Sequence, residues 1–189
     1  MQTIVISQPK AGTYLCANLL QQLDLHFTGM HIRGNNYTQL DLDDLNYSRK
    51  NLKELKVRTP LSESVNLISE NSFAVSHLEY STKSERILSG FKKILLLRDL
   101  KTCKASWDAW ARIAGKSKES KNLDPNFRNI IEKWKTVEDV FVMDFYDMKS
   151  KNVQKINELQ MYLFQEVKFD AKKAISTALK TDSLTKVKR

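Results

Sequence analysis

The loop Pro9–Tyr14 has the residue types of an anion-binding site. It follows a short β-branched run, Thr3–Ser7, and precedes apolar residues at helical spacing, so we predict strand, loop and helix. Gly12 allows close approach of the backbone, and the first N–H groups of the helix have no intrahelical acceptor. Lys10 adds a positive charge and Thr13 adds a hydroxyl group. The pattern fits an anion site about as well as it fits an ordinary strand-to-helix turn.

The loop differs from the phosphate loop of nucleoside triphosphatases. Their loop has four residues between two glycines, followed by lysine and a serine or threonine whose hydroxyl binds magnesium. Here Lys10 precedes Gly12, and no second glycine lies in the loop. Asp99 and Asp144 are only formal candidates for a magnesium ligand. We therefore expect a shorter anion and no required metal.

His77 is a candidate general base. It ends the predicted strand Phe73–His77, and an imidazole with a pKa near neutral can accept the proton of an attacking hydroxyl. Glu79, two residues later, is an alternative base or a carboxylate that orients the histidine. A structural histidine bound to a backbone carbonyl is the simpler alternative. His26 and His31 have no context that suggests a role.

Strands and helices alternate along the chain, apart from His26–Lys56, which is polar and irregular and where we expect loops with one short helix. We predict further strands at 73–77, 93–97 and 140–143. We predict helices from Thr59-Pro60 through Ile68, at 81–89, from Trp107 to a stop at Gly115, from Phe127 to Trp134 and from Val153 to Leu163. A charged loop is expected at Lys116–Asp124. This alternation predicts an α/β domain with a mainly parallel sheet and helices on both faces. Ligands then bind at the carboxyl ends of the strands, where Lys10, His77 and Arg98 fall.

Length and composition favour one domain with an anionic partner. The chain has 189 residues, 41% of them hydrophobic, which is enough for one core. The formal net charge of +9 attracts anions, and residues 168–189 are expected to form a basic helix and tail. No basic leader precedes the first apolar run and no stretch approaches a membrane span, so we expect a cytoplasmic protein.

Two cysteines and three tryptophans fall at apolar positions of predicted helices. We expect Cys16 and Cys103 to be reduced thiols in or near the core. Trp107, Trp110 and Trp134 are likewise expected in the core, because large aromatic side chains at helical spacing more often pack inside than bind a ligand.

The segment Pro9–Thr13, Pro-Lys-Ala-Gly-Thr, resembles the Pro-Lys-Ser-Gly-Thr loop of sulfotransferases that use 3′-phosphoadenylyl sulfate (PAPS), which binds the 5′-phosphosulfate. The second motif of that family is an arginine that ends a buried strand and a serine eight residues later. Arg98 closes the apolar run Ile94–Leu97, and Ser106 lies at the required distance. A guanidinium fork suits a dianionic phosphate, here the 3′-phosphate, and a hydroxyl completes its shell. A third, structural likeness is the strand and helix of Val137–Val167.

The resemblance implies transfer of a sulfuryl group from PAPS to a hydroxyl or amine, with 3′,5′-ADP as the product and no metal. It implies that Lys10 stabilises charge on the leaving oxygen and that His77 deprotonates the acceptor. The residues that it assigns to the nucleotide are Lys10, Ala11, Gly12, Thr13, Tyr14, Arg98 and Ser106. The implied fold is a single α/β domain over residues 1–189, similar to that of P-loop nucleoside triphosphatases.

Three features depart from the family pattern. Ala11 replaces a hydroxyl residue. Leu15 stands where many relatives carry an aromatic residue that stacks on adenine, and Tyr14 is the candidate substitute. The Arg-Lys-Gly segment by which relatives close over the 3′-phosphate is not found in this sequence. Its candidate electrostatic substitutes are Lys172, Lys173 and Lys180.

Two other functions fit parts of the pattern. A nucleotide-dependent kinase of the same broad fold would use the loop for a nucleoside triphosphate. A non-catalytic module would bind nucleic acid or an anionic glycan through the lysine-rich end, although the lack of interleaved aromatic residues there disfavours nucleic acid. We expect a small-molecule or glycan acceptor and no membrane partner, and leave a homo-oligomer open.

Overall fold

Seven strands form one sheet at the centre of the fold. The computed structural model describes residues 1–40, 55–114 and 125–187, so the predicted helix stop at Gly115 and the predicted loop Lys116–Asp124 lie outside the described residues. The strands are β1 (Thr3–Ser7), β2 (His26–Arg33), β3 (Asn36–Gln39), β4 (Leu55–Arg58), β5 (Ser72–Ser76), β6 (Lys92–Leu97) and β7 (Val140–Asp144). Their order is β4-β3-β2-β5-β1-β6-β7, with parallel pairing from β2 to β7 and antiparallel pairing of β3 with β2 and β4.

Helices cover both faces of this sheet. They are α1 (Thr13–Gln22), α2 (Leu61–Ser64), α3 (Thr82–Ile87), α4 (Leu100–Ala114), α5 (Pro125–Glu132), α6 (Phe145–Lys149), α7 (Val153–Phe164) and α8 (Ala171–Val187), with 3-10 turns at Val65–Leu67 and Lys133–Thr136. Successive strand residues point to opposite faces, so Val5 packs with α1, α7 and α8 whereas Ile4 packs with α2 and α5. The predicted α/β domain with a mainly parallel sheet is confirmed.

The continuous apolar runs of the sequence became the central strands. All residues of β1 and β5 are buried, as are five of the six in β6, which is typical of parallel strands covered on both faces. Cys16 and Cys103 are buried free thiols, as predicted, and burial raises the pKa of Cys16 to about 12.

The prediction of loops and a short helix over His26–Lys56 is wrong for the described part of that segment. The chain forms β2, β3 and the start of β4 there, and residues 41–54 lie outside the described residues. Every residue of β3 is half-buried. An antiparallel strand near a sheet edge is stabilised by its backbone ladder and needs no buried apolar face, so polar composition concealed it.

The helix predicted from Thr59-Pro60 through Ile68 is shorter than expected. Pro60 is the residue before the first turn, and α2 gives way to a 3-10 turn that ends at Leu67. The hydroxyl of Thr59 donates to the Glu63 carboxylate at 2.8 Å and does not cap the helix. Ile68 is extended and fully buried, because it packs into the core beneath the sheet.

The basic end of the chain forms α8, which packs along α1. Ala171, Ala174, Ile175 and Ala178 are buried on α8, and the small size of the three alanines lets the two helices approach closely. None of the helices in the described part of the chain has the length and apolar character needed to cross a bilayer.

Candidate functional site

The loop between β1 and α1 is shaped by two left-handed residues. Lys10 has φ 66° and Gly12 has φ 96°. A Cβ atom on Gly12 would lie 2.5 Å from Cδ2 of Phe145, so both the backbone angle and the space require glycine. Gly12 precedes the first turn of α1 and no side chain caps the helix. The N–H groups and positive dipole end of α1 are therefore available to an anion.

Ala11 and Thr13 turn their side chains inward. Ala11 is fully buried in the core beneath the loop. The Thr13 hydroxyl lies 2.8 Å from the hydroxyl of Ser7, and both residues are buried. Neither side chain therefore faces the outside of the loop, and the backbone N–H of Ala11 donates to the carbonyl oxygen of Gln8 at 3.2 Å.

The ammonium group of Lys10 lies on an aromatic surface. Its Nζ is 4.1 Å from the centre of the Trp110 ring and 5.5 Å from that of Trp107. A cation over an aromatic face is attracted by the ring quadrupole. The prediction that the tryptophans form core is confirmed for Trp134, which is fully buried, but wrong for Trp110, which is half-buried and supports Lys10. Helical spacing alone does not separate these two roles.

Arg98 reaches the same loop from the end of β6. Its Nη1 donates to the carbonyl oxygen of Lys10 at 2.9 Å, and its Nε donates to the Thr102 hydroxyl at 3.1 Å. The guanidinium carbon lies 4.0 Å from the centre of the Phe145 ring. Two of the five N–H donors of the guanidinium are used in these contacts, which leaves three directed away from them.

Ser106 lies on the face of α4 that borders the loop. Thr102, Ser106 and Trp110 are four residues apart, so they share one side of the helix. Ser106 therefore stands between the residue that binds Arg98 and the residue that supports Lys10. It is half-buried, and none of the described residues forms a hydrogen bond with its hydroxyl.

Sequence reasoning missed two side chains that fix the end of β6. Gln8 is buried, and its Nε2 donates to the carbonyl oxygen of Arg98 at 2.8 Å and contacts Sγ of Cys103 at 2.8 Å. Nη1 of Arg128 donates to the same carbonyl at 2.6 Å while its Nη2 pairs with Glu132 at 2.7 Å. These contacts hold the backbone from which Arg98 extends. Gln8 and Arg128 lie 90 and 30 residues from Arg98, so the local sequence around Arg98 does not reveal them.

His77 is held in one tautomer. Its Nδ1 lies 2.8 Å from the carbonyl oxygen of Ser7, and because a carbonyl only accepts, Nδ1 carries the proton and Nε2 carries the lone pair. Burial lowers the pKa of His77 to about 4, opposed by the hydrogen bond to Ser7 and reinforced by the positive charges of Arg33 and Lys10. The imidazole is therefore neutral at pH 7, with Nε2 as a proton acceptor.

A second histidine, His31, for which no role was predicted, lies against His77. The ring centres of His31 and His77 are 4.4 Å apart at 73°, and Nδ1 of His31 lies 3.4 Å from the Tyr14 hydroxyl. Nε2 of His31 is buried with no hydrogen-bond partner among the described residues. Burial, followed by the charges of His77 and Arg33, lowers the pKa of His31 well below its usual value. Recognising β2 as a strand would have placed His31 at this edge of the sheet.

The remaining predicted residues lie in several places. Leu15 is buried in the core and Tyr14 lies beside His31. Glu79 is exposed, and no ion pair or hydrogen bond joins its carboxylate to His77 in the described part of the chain. Lys172, Lys173 and Lys180 are exposed on α8. Within residues 1–40, 55–114 and 125–187, no group of three or more His, Cys, Asp and Glu side chains is arranged to hold a metal ion.

Two solved structures share this arrangement of strands and helices. One is mouse sulfotransferase SULT7A1 complexed with PAP, with a TM-score of 0.57 and 15% sequence identity over 95% of this chain and 63% of that chain. The other is retinol dehydratase in complex with androsterone and the inactive cofactor PAP, with a TM-score of 0.58 and 15% identity over 100% of this chain and 64% of that chain. The chain thus spans slightly less than two-thirds of the length of these proteins.

Similarity is visible in the fold and not in the sequence as a whole. No protein-family model matches the sequence, and no curated protein matches it either. The fold nevertheless aligns with these two structures over 95% and 100% of this chain. The chain therefore has the fold of the PAPS-dependent sulfotransferases.

Proposed function

We propose that the chain transfers a sulfuryl group from PAPS to a hydroxyl or amine of an acceptor. The observation that carries the proposal is the meeting of two sequence motifs at one loop. Arg98 donates to the Lys10 carbonyl at 2.9 Å, and Ser106 lies on the bordering face of α4. The similar structures contain PAP, which is 3′,5′-ADP, the product that this reaction would release.

The start of α1 binds the 5′-phosphosulfate in this proposal. Backbone N–H groups of Gly12, Thr13 and Tyr14 bind the oxygens, and the dipole of α1 favours their negative charge. Gly12 permits the close backbone approach that this contact needs. The ammonium group of Lys10 supplies a positive charge and is held at the loop by Trp110.

Arg98 and Ser106 select the 3′-phosphate in this proposal. The three N–H donors of Arg98 that are not engaged with Lys10 and Thr102 suit a dianionic phosphate, because guanidinium groups bind such oxygens through parallel hydrogen bonds. The Ser106 hydroxyl adds a further donor. The bond from Arg98 to the Lys10 carbonyl fixes the separation of the two phosphate subsites.

The reaction is an in-line displacement at sulfur. An oxygen or nitrogen of the acceptor forms a bond to sulfur while the bond from sulfur to the 5′-phosphate oxygen breaks, and 3′,5′-ADP leaves. Nε2 of His77 takes the proton of the acceptor, and Lys10 stabilises the charge that develops on the leaving oxygen. A base with a pKa of about 4 is weak, so the proton moves only as the new bond acidifies the acceptor.

Nucleotide preference tests this proposal without knowledge of the acceptor. We expect 3′,5′-ADP, in the presence of EDTA, to raise the midpoint of thermal unfolding, because a ligand that binds only the folded state stabilises it. ATP with magnesium serves as the comparison. Stabilisation by ATP and magnesium alone would instead favour a kinase of the same broad fold.

A further inference from the structure

The antiparallel part of the sheet carries a row of basic side chains. Arg33 of β2 is paired with Asn36 of β3, which is paired with Arg58 of β4. Directly paired residues point to the same face of a sheet, as do residues two apart on one strand. Lys56 therefore shares this face with Arg58. We call Arg33, Lys56 and Arg58 the basic face.

The basic face continues the surface that holds His77. His31 is paired with Val75 of β5, so Arg33 and His77, each two residues further along, point to the same side as His31 and Val75. The 4.4 Å contact of the His31 and His77 rings shows that the two strand ends meet there. The charge of Arg33 acts on both imidazoles, which places its positive field at the candidate base.

The charge of the basic face is not neutralised by its own strands. The strands β2, β3 and β4 contain neither aspartate nor glutamate. Arg33, Lys56 and Arg58 are exposed, and none of them forms an ion pair with another described residue. Such a one-signed surface beside a reactive group raises the local concentration of anions.

The size and chemistry of the surface narrow the class of ligand. Three strand spacings separate β5 from β4, which is about 14 Å at roughly 4.8 Å per strand. A ligand that contacts both His77 and the cations of β4 must therefore be extended. The Oδ1 atom of Asn36 is buried without a partner among the described residues, and Thr38 lies beside it on the same face. Tyr37 packs into the opposite core. Among the described residues of β3 and β4, this face thus offers cations and hydrogen-bonding groups without an aromatic ring, and a single exposed ring, that of Tyr14, lies beside His31.

We propose that the acceptor is an anionic oligosaccharide whose carboxylate or sulfate groups bind Arg33, Lys56 and Arg58. One of its hydroxyl groups then lies at His77, where the hydroxyl oxygen bonds to sulfur, its proton passes to Nε2 and 3′,5′-ADP departs from the sulfuryl donor. This assignment rests on the proposed sulfuryl transfer. It adds the class of acceptor and the residues that select it.

Carbohydrate fits the surface better than other extended anions. Single-stranded nucleic acid is bound mainly by stacking of successive bases on aromatic side chains, whereas the described residues here supply one exposed ring, that of Tyr14 beside His31. Carboxylates and sulfates take charge-assisted hydrogen bonds from arginine and lysine, while hydroxyl side chains such as that of Thr38 bind sugar hydroxyls.

Binding of defined oligosaccharides at fixed salt tests the inference. The probes are a sulfated, uronate-containing hexasaccharide and neutral maltohexaose, measured by calorimetry on the full chain. We expect the Arg33→Gln/Arg58→Gln variant to bind the sulfated probe about tenfold more weakly, since two charge-assisted contacts are lost. The control is Lys83→Gln/Arg86→Gln, which removes the same charge from exposed positions of α3 on the other face of the sheet and should bind within about twofold of the wild-type chain.

Four outcomes would overturn the inference: equal losses in the two double variants, equal binding of maltohexaose, and binding of either a single-stranded oligonucleotide or a glutamate-rich peptide more tightly than the hexasaccharide. Thermal midpoints close to that of the wild-type chain establish that the variants are folded. Binding of 3′,5′-ADP is measured separately in each variant and should be unchanged. If the wild-type chain binds the hexasaccharide through the basic face but does not bind 3′,5′-ADP, the proposed sulfuryl transfer fails while the anionic ligand site stands.

Discussion

Arg98 donates a hydrogen bond from Nη1 to the carbonyl oxygen of Lys10 at 2.9 Å, and this bond joins positions 88 residues apart in the sequence. The same guanidinium lies 4.0 Å from the centre of the Phe145 ring, and that ring fills the space beside Gly12. The end of β6, the start of α6 and the loop before α1 therefore hold one another in place. Changes at any of them should affect both the loop and the nucleotide.

Gly12→Ala tests the shape of the loop. We expect the free energy of unfolding to fall by about 2 kcal/mol or more, because φ 96° strains an alanine and its Cβ would lie 2.5 Å from Phe145. Urea unfolding measures the loss. Gly34→Ala is the matched control, since a Cβ there meets nothing within 4 Å, and its effect should stay within about 0.5 kcal/mol. Equal stabilities of the two variants would contradict this loop geometry.

Trp110→Ala tests whether the tryptophan positions Lys10. We expect turnover of PAPS to fall about tenfold, because a contact of Nζ with the ring at 4.1 Å contributes about 1–2 kcal/mol, and Trp110→Phe should retain most of the activity. Lys10→Ala should abolish turnover, measured as release of 3′,5′-ADP. Binding of 3′,5′-ADP supplies the second readout: if Trp110 acts through Lys10, then Trp110→Ala should not weaken binding further in a Lys10→Ala background. Additive losses would contradict this coupling.

The pH dependence of stability tests the environment of His77. In the unfolded chain its pKa is the usual 6.5, whereas burial lowers it to about 4 in the folded chain. Between these values the unfolded state binds more protons, so the stabilisation is fully present above pH 6.5 and is lost as the pH falls toward 4. Urea unfolding from pH 7 to pH 4.5 should therefore show a falling free energy of unfolding.

In His77→Gln, the free energy of unfolding should fall less steeply with decreasing pH, because the difference in bound protons between the unfolded and folded states is smaller by up to about one. The contribution of His31, whose pKa is lowered in the same direction, should persist in the variant. Identical slopes for the wild-type chain and His77→Gln would show that His77 is not buried in its neutral form.

The central sheet and the motifs around Lys10 and Arg98 were predictable from the sequence. Parallel strands buried on both faces produce unbroken apolar runs such as Ile94–Leu97, and these set the positions of Lys10 and Arg98 at strand ends. The order and spacing of the motifs then indicated the fold that SULT7A1 shares. Local patterns sufficed here because each motif lies next to the element that positions it.

The acceptor side was not accessible in the same way. The strands β3 and β4 have no buried residue, because they form an antiparallel extension held largely by backbone pairing. Strand β2 is mostly buried and pairs parallel with β5, but its apolar residues Phe27, Met30 and Ile32 do not form an unbroken run. His31 and the basic face were concealed with them. Arg128 and Gln8 donate to the carbonyl oxygen of Arg98, which is distant from both in the sequence. Trp110 was predicted to be a core residue because the spacing of apolar residues in an amphipathic helix does not show what covers its apolar face.

The affinity difference between 3′,5′-ADP and 5′-AMP, measured by calorimetry in EDTA, tests the central claim most directly. If Arg98 and Ser106 bind the 3′-phosphate at the loop that holds the 5′-phosphate, the wild-type chain should bind 3′,5′-ADP at least about tenfold more tightly. Arg98→Ala should remove most of that difference while retaining weak binding of 5′-AMP. Equal affinities for the two nucleotides in the wild-type chain, or an unchanged difference in Arg98→Ala, would contradict the assignment of this site to PAPS.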